Sequence, residues 1–371
     1  MDAERQIRPT TAHVDLGRLE ANYAAVAAAV AAPVLAPVKG DAYGHGLVRC
    51  ALALEAAGCP SFGVALVEEG IALREAGVCG RILCLGGVGP RGAEAALAHG
   101  LTPMVYDLDA AHALDGAASR AGVHLPIHLK VDTGMGRLGV LPGDWEGFLD
   151  RLADLRHLEV EGIATHFAEA DAADPTFTQE QARRFRRALR AAATRAFRPA
   201  MVHASNSAAA LGGSDLQFDL VRPGLVLYGL PPRPDLDPGV SPVMRVTTQV
   251  LFVKNVPAGQ GVSYGRRWVA PRPTRLATLP VGYADGYPRA LTNRGHVWIH
   301  GHRCPVRGAV CMDLTMVDIT DVPTEVRPGD AVELLGDRIR AEELAAAAGT
   351  IPYEIVARFS DRVPRTFGAR T

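Results

Sequence analysis

Lysine is nearly missing from this chain. Of its 371 residues, 39 are Lys or Arg, yet the only lysines are Lys39, Lys130 and Lys254, so any amine chemistry must use one of three side chains. Cysteine is sparse too: Cys50, Cys59, Cys79, Cys84, Cys304 and Cys311 form no C-x-x-C pair, which argues against a zinc site or any other metal centre and against a disulfide framework. No stretch is long and apolar enough for a membrane span, since the longest uncharged run, Ala21 to Val38, is mostly alanine and is broken by Pro33 and Pro37. An export signal is also lacking, because Asp2, Glu4, Arg5 and Arg8 are followed by Pro9, Thr10 and Thr11 instead of an apolar block, and a cytoplasmic location follows by default. Charge is balanced at a net −1, which excludes a general polyanion binder. The dense basic run from Arg183 to Arg198 has helical spacing and reads as a solvated helix face.

What is present is a globular composition, 48% hydrophobic and 21% charged, over a length that suits two domains. From residue 12 to about 230, short apolar runs alternate with Ala/Leu/Glu/Arg segments of helical period. The runs predict strands at Leu35 to Lys39, Ser61 to Ala65, Arg81 to Leu85, Thr102 to Tyr106, Pro126 to Asp132, Leu158 to His166, Met201 to Ala204 and Leu225 to Tyr228. Helices are predicted between most of them, as at Leu16 to Ala31, Val67 to Ala76, Ala110 to Ala121 and Gln179 to Ala193. Eight strands in this rhythm predict an α/β fold of the (β/α)8 barrel type over residues 12–235. The segment Pro231 to Pro238 breaks the rhythm and marks the boundary. Residues 236–371, joined by the N-terminal segment 1–11, read as a second, mostly-β domain. Its strands are predicted at Arg245 to Val253, Arg275 to Val281, His296 to Ile299, Thr315 to Ile319 and Ala331 to Leu335, with one clear helix at Ala341 to Ala348.

In the segment Ala36-Pro37-Val38-Lys39-Gly40-Asp41-Ala42-Tyr43-Gly44-His45-Gly46, an apolar strand ends in a lysine and a glycine-rich turn. The lysine then stands at the C-terminal mouth of the first barrel strand, where barrel enzymes do their chemistry. Its apolar approach can desolvate the amine. The segment resembles the pyridoxal-phosphate lysine motif of the alanine racemases. Further segments resemble that family in order and spacing: His128 to Gly139 (HLKVDTGMGRLG), Glu161 to Phe167, His203 to Ser207, Arg222 to Gly229, Val262 to Gly265, Gly282 to Tyr287, and Cys311-Met312-Asp313.

The resemblance implies pyridoxal-phosphate-dependent interconversion of L- and D-alanine by two bases, in a homodimer with shared active sites that supplies a D-amino acid to cell-wall precursors. Lys39 would hold the cofactor as a Schiff base and then serve as one base. Tyr264, from the partner subunit, would be the other. Arg222 would face the pyridine nitrogen. A guanidinium has only donors, so that nitrogen would accept and the ring would be a weaker electron sink, which disfavours transamination. Tyr43, Asn206, Ser207 and the backbone of Gly224 and Leu225 would hold the phosphate, with His166 beside the ring. Arg137 and the backbone N–H of Met312 would hold the substrate carboxylate, and Tyr283 would stand near the entrance. Lys130 matches a lysine that is often carbamylated in the family and would orient Arg137.

Three positions depart from the family's usual pattern. Ala309 stands where arginine is common, Leu314 where glutamine is common, and Asp361 where some members carry a tyrosine. Ala309 and Leu314 leave open a broader amino-acid racemase; the other alternative, a non-catalytic barrel that only binds the cofactor, would need neither Tyr264 nor a second domain, and this chain has both.

Overall fold

A computed structural model describes residues 7–368. Strand β1 (Thr11–Asp15) leads straight into the helix Leu16–Ala29. Seven strands follow: β2 (Leu35–Pro37), β3 (Ser61–Val64), β4 (Arg81–Cys84), β5 (Thr102–Val105), β6 (Leu125–Lys130), β7 (Leu158–Ala164) and β8 (Met201–His203). These seven lie in one sheet in sequence order, each parallel to the next. Helices make the crossovers, as parallel neighbours require.

The sheet curls onto itself through a short eighth rung. Leu220 pairs in parallel with His203, and Val221 pairs in parallel with Val34 just before β2, which completes the (β/α)8 architecture. The eighth strand predicted at Leu225 to Tyr228 is instead a 3-10 turn. All four of its side chains are buried, so the run has no alternation to distinguish strand from turn. Pro223 cannot donate to a ladder, which ends the pairing two residues earlier.

Among the crossovers, Thr176–Thr194 shows how the pattern works. Thr178, Gln181, Ala182, Phe185, Ala188 and Ala192 form its buried face, at the spacing of one helical stripe. Arg183, Arg186, Arg187 and Arg190 are exposed, and Glu180 pairs with Arg183 and Arg184 at 2.9 Å each. The basic run is thus a solvated helix face.

The chain divides into two units. One comprises Leu19–Ala42 and Leu47–Ser241. The other takes the N-terminal residues up to Arg18, the short stretch Tyr43–Gly46 and everything from Pro242 onward. Residues 1–6 and 369–371, which the sequence also assigns to the second domain, lie outside the described residues.

In the second unit follow β9 (Met244–Gln249), β10 (Phe252–Val256), β11 (Gly261–Val262), β12 (Trp268–Val269), β13 (Thr274–Leu279), β14 (His296–Ile299), β15 (His302–Pro305), β16 (Thr315–Asp318), β17 (Ala331–Leu335) and β18 (Arg365–Gly368). A six-stranded sheet runs β15-β14-β17-β9-β1-β18, a three-stranded sheet β10-β13-β16, and β11 pairs with β12. The single strand predicted at Arg245 to Val253 is two strands in two sheets. Val250 N–H donates to Asp330 and Leu251 N–H to Thr278, so the chain changes sheets within one continuous apolar run. A second helix, Pro352–Ala357, starts with proline at its first position, where no N–H is needed. No helix among the described residues is long and apolar enough to cross a membrane.

Candidate active site

Lys39 is the second residue after β2, and the backbone behind it has an unusual form. Gly40, Asp41, Ala42, Tyr43 and Gly44 all have positive φ, from +53° to +82°, giving one turn of left-handed helix. Such residues normally occur singly, at a cost of about 1–2 kcal/mol each when they carry a side chain. Local bonds offset this: Gly40 N–H donates to Glu69 at 2.6 Å, Ala42 N–H to the Val38 carbonyl at 2.7 Å, and Leu47 N–H to Asp41 at 2.7 Å. The turn sends the chain sharply away immediately after the lysine. Tyr43 packs its ring 6.1 Å from that of Tyr353.

Lys130 ends β6, and the loop after it is organised by Asp132. One oxygen of that carboxylate accepts the N–H groups of Gly134, Met135 and Gly136, at 2.9, 2.8 and 3.1 Å. The chain then returns, with Val140 N–H on the Lys130 carbonyl and Asp132 N–H on that of Val140, both 2.9 Å. Gly139 fits this return because a Cβ there would lie 2.6 Å from Asp132 N. Arg137 is carried on the loop.

Three further cations surround Lys130. Burial, followed by the charges of Arg222 and Arg137, pushes its ammonium from 10.5 down to about 7, with Asp132 opposing and Lys39 adding to the drop. Lys39 is also lowered, by burial and then by Arg137. Four basic side chains thus converge at one end of the barrel unit.

Arg222 is buried and held from several sides. Its Nη2 donates to the carbonyls of Thr165 at 2.9 Å and Ala204 at 3.0 Å and lies 3.0 Å from His166 Nδ1; Nη1 bonds His203 Nδ1. Its Nε has no hydrogen-bond partner among the described residues. Burial and the Arg222 charge hold both His166 and His203 well below the usual imidazole value, so both are neutral. Beyond β8, Asn206 caps the short helix Ser207–Leu211 by accepting from Ala209 N–H at 3.1 Å, and Ser207 Oγ accepts from Gly224 N–H at 2.9 Å. The N–H of Leu225 finds no acceptor among the described residues.

In the β-rich unit, Tyr264 is 76% exposed. Ser263, which precedes it at φ +63°, donates to the Ala309 carbonyl at 2.8 Å and lies 3.2 Å from Cys311 Sγ. Tyr283 N–H donates to Cys311 and Ala284 N–H to Met312, both 3.0 Å. Gly282 is required here, since a Cβ would fall 2.3 Å from both of those carbonyls. Tyr264, Tyr283 and Met312 are therefore grouped around Cys311. Ala309 is buried behind Ser263, Leu314 is partly exposed, and Asp361 is exposed.

The family model described as the N-terminal domain of alanine racemase matches residues 14–232, and that of the C-terminal domain matches residues 243–367. The chain belongs to the alanine racemase family. Curated alanine racemases of Geobacter sulfurreducens and Halothermothrix orenii are 46% and 42% identical to it, over 97% and 98% of both chains. Among solved structures, the alanine racemase of Streptomyces lavendulae superposes with a TM-score of 0.94 at 37% identity, covering 99% of each chain. That of Bartonella henselae, described with covalently bound pyridoxal phosphate, gives 0.89 at 32% identity, covering 97% of this chain and 99% of its own.

As in the alanine racemase family generally, the cofactor is pyridoxal phosphate, and the residues present suit it. Four basic side chains, Lys39, Lys130, Arg137 and Arg222, would suit phosphate and carboxylate groups, and the unused Arg222 Nε could donate to a ring nitrogen. Five residues that take part in this arrangement carried no role in the sequence reading: Glu69, Glu161, His128, His203 and Tyr353. Glu69 had a local signal, because it also accepts the N–H groups of Ala65 and Leu66 at 2.8 and 3.2 Å, and a glutamate three residues into a helix is the spacing of a capping box.

Proposed function

We propose that this chain racemises alanine with Lys39 and Tyr264 as the two acid/base groups on opposite faces of the substrate, in a cytoplasmic homodimer whose active sites are shared between subunits. That it is a pyridoxal-phosphate-dependent alanine racemase follows from its family membership.

When bound, pyridoxal phosphate acidifies the Cα–H of an attached amino acid by accepting its electron pair into the ring. Every other task falls to the protein. Lys39 attaches the cofactor and, with its basicity lowered by burial and Arg137, serves as the base that takes a proton from Cα. Tyr264 works on the other face. Its exposure in a single chain, together with that of Met312, supports completion of the site by a second copy.

The observation that carries the reading is Arg222. Its position is fixed by two carbonyls and two neutral imidazoles, leaving Nε to donate to the pyridine nitrogen. A donor-only partner keeps that nitrogen unprotonated. Such a partner would favour return of the proton to Cα, by Lys39 or Tyr264, over transamination. Arg137 and Met312 N–H hold the carboxylate, with Lys130 orienting Arg137. Tyr43, Asn206, Ser207 and the backbone of Gly224 and Leu225, where the Leu225 N–H is unused, hold the phosphate, with Tyr353 against Tyr43 and His166 beside the ring.

Chiral analysis of products from a panel of L-amino acids tests the reading. D-Alanine should form at a rate far above any other D-amino acid. Comparable rates with many substrates would indicate a broad racemase, and a bound cofactor with no racemisation would indicate a binding protein.

A further inference from the structure

The interior of the barrel unit holds a polar chain that the reaction itself does not use. It begins with an irregularity between β6 and β7. Ile127 faces Val160, but His128 faces Gly162, so Glu161 is one residue too many on its strand. A bulge of this kind re-aims a side chain. Gly162 makes room opposite, since a Cβ there would lie 2.4 Å from His128 Nδ1.

From Arg222 inward the contacts are continuous. His203 Nδ1 bonds Arg222 Nη1, and His203 Nε2 lies 2.7 Å from His128 Nδ1. His128 Nε2 lies 3.4 Å from Glu161 Oε2, a charge contact longer than the other links, and neither atom has a hydrogen-bond partner among the described residues. The other Glu161 oxygen is anchored by Arg81 Nη2 at 2.6 Å, at the start of β4. His128 and His203 are both fully buried.

Only one arrangement of hydrogens satisfies this chain. Arg222 can only donate, so His203 Nδ1 must accept and its proton sits on Nε2. His128 Nδ1 must then accept, which places its proton on Nε2, facing Glu161. An ionised carboxylate, acceptor only and 3.4 Å away, is the group that complements a proton there. The far end demands the same order as the near end. Burial lowers both imidazoles below their ordinary value, consistent with the single proton each must carry.

We propose that Glu161 is a positioning residue for Arg222, setting the tautomers of His128 and His203 so that every hydrogen of the chain points away from the active-site mouth. Arg222 is thereby held as a donor in one orientation by a carboxylate three side chains distant. The proposal rests on the reading in which Arg222 faces the pyridine nitrogen.

The test uses holoenzyme labelled with 15N-histidine. In the wild type, His128 and His203 should both be neutral and protonated at Nε2. A proton on Nδ1 of either ring, or a doubly protonated ring, would overturn the proposal without any variant being needed. Glu161→Gln, whose amide oxygen can still accept, should keep both tautomers and most of the activity. Glu161→Leu should shift the His128 tautomer, change the absorbance of the bound cofactor, and lower kcat by about 10–100-fold, as supporting hydrogen bonds typically do, with little change in KM for alanine. A folded Glu161→Leu protein with wild-type tautomers and kcat would sink it, as a purely structural glutamate would change melting temperature alone. Should Glu161→Leu not fold, the wild-type and Glu161→Gln tautomers decide. The underlying reading fails separately: if Arg222→Lys leaves the cofactor spectrum unchanged, Arg222 does not face the ring, whatever the tautomers show.

Discussion

Lys130 offers the sharpest quantitative test, because its surroundings favour one chemical form of it. A drop from 10.5 to about 7 corresponds to about 5 kcal/mol of bias against the ammonium. At pH 7 about half of the amines are then neutral, against about 3 in 10,000 for an ordinary lysine, an enrichment of about a thousandfold. The neutral amine is the form that adds carbon dioxide: its lone pair forms the N–C bond, one N–H proton goes to solvent, and the product is a carbamate anion. Arg222 and Arg137, the charges that most penalise the ammonium, attract that anion. Wild-type protein in 13C-bicarbonate should show a single carbamate resonance that Lys130→Met lacks. Stripping it at mildly acidic pH should raise KM for alanine, and bicarbonate should restore it.

The same shift sets a stability test with a definite sign. Between about pH 7 and 10.5 the unfolded chain holds a proton on Lys130 that the unmodified folded chain has lost, so stability rises with pH across that window. Below about pH 7 both states are protonated and the full cost of burying the charge is present. Lys130→Met should therefore melt above stripped wild type near pH 6, by up to about 5 kcal/mol. No carbamate signal, no response to bicarbonate and no stabilisation in Lys130→Met would together refute the argument.

Two further outcomes are expected. Borohydride should fix the cofactor on Lys39, and Lys39→Ala should lose racemisation; peptide mapping that finds the label on Lys130 or Lys254 would overturn the assignment. Lys39→Ala and Tyr264→Phe proteins should each be nearly inactive, but co-refolded in equal amounts they should recover roughly a quarter of wild-type activity, because about half the dimers are mixed and each mixed dimer has one intact site. No recovery, with mixed dimers present by mass, would place both residues in one chain.

Much of the fold was legible because its strands and helices carry distinct periods. Thr176–Thr194 declares its buried stripe in the sequence, and the helix Ala341–Ala348 falls where its composition puts it. Legibility failed where period disappears. Leu225–Tyr228 is apolar at every position and could not be told from a strand, and the bend at Val250–Leu251 divides an apolar run that looks continuous. The site was legible as motifs but not as geometry. The scarcity of lysine singled out Lys39 and Lys130, whereas the left-handed turn after Lys39 looked like any glycine-rich loop, since Asp41, Ala42 and Tyr43 give no sign of positive φ. His128, His203 and Glu161 lay inside recognisable segments, but their connection depends on a one-residue offset between β6 and β7 that no local pattern encodes.

The pairing of β1 bears on how the chain is made. β1 lies between β9, its antiparallel neighbour, and β18, its parallel one. On a ribosome, Thr11 emerges more than 230 residues before Met244, a delay of roughly 12 to 47 s at ordinary rates of synthesis. β18, at Arg365–Gly368, comes later still. For that interval β1 has no strand to pair with, although Ala12 and Val14 are fully buried in the finished protein. Meanwhile the whole barrel segment is synthesised and can fold between the two ends of the sheet. The polar Thr11 and His13, alternating with the buried pair, keep the waiting strand from presenting an unbroken apolar face to other nascent chains.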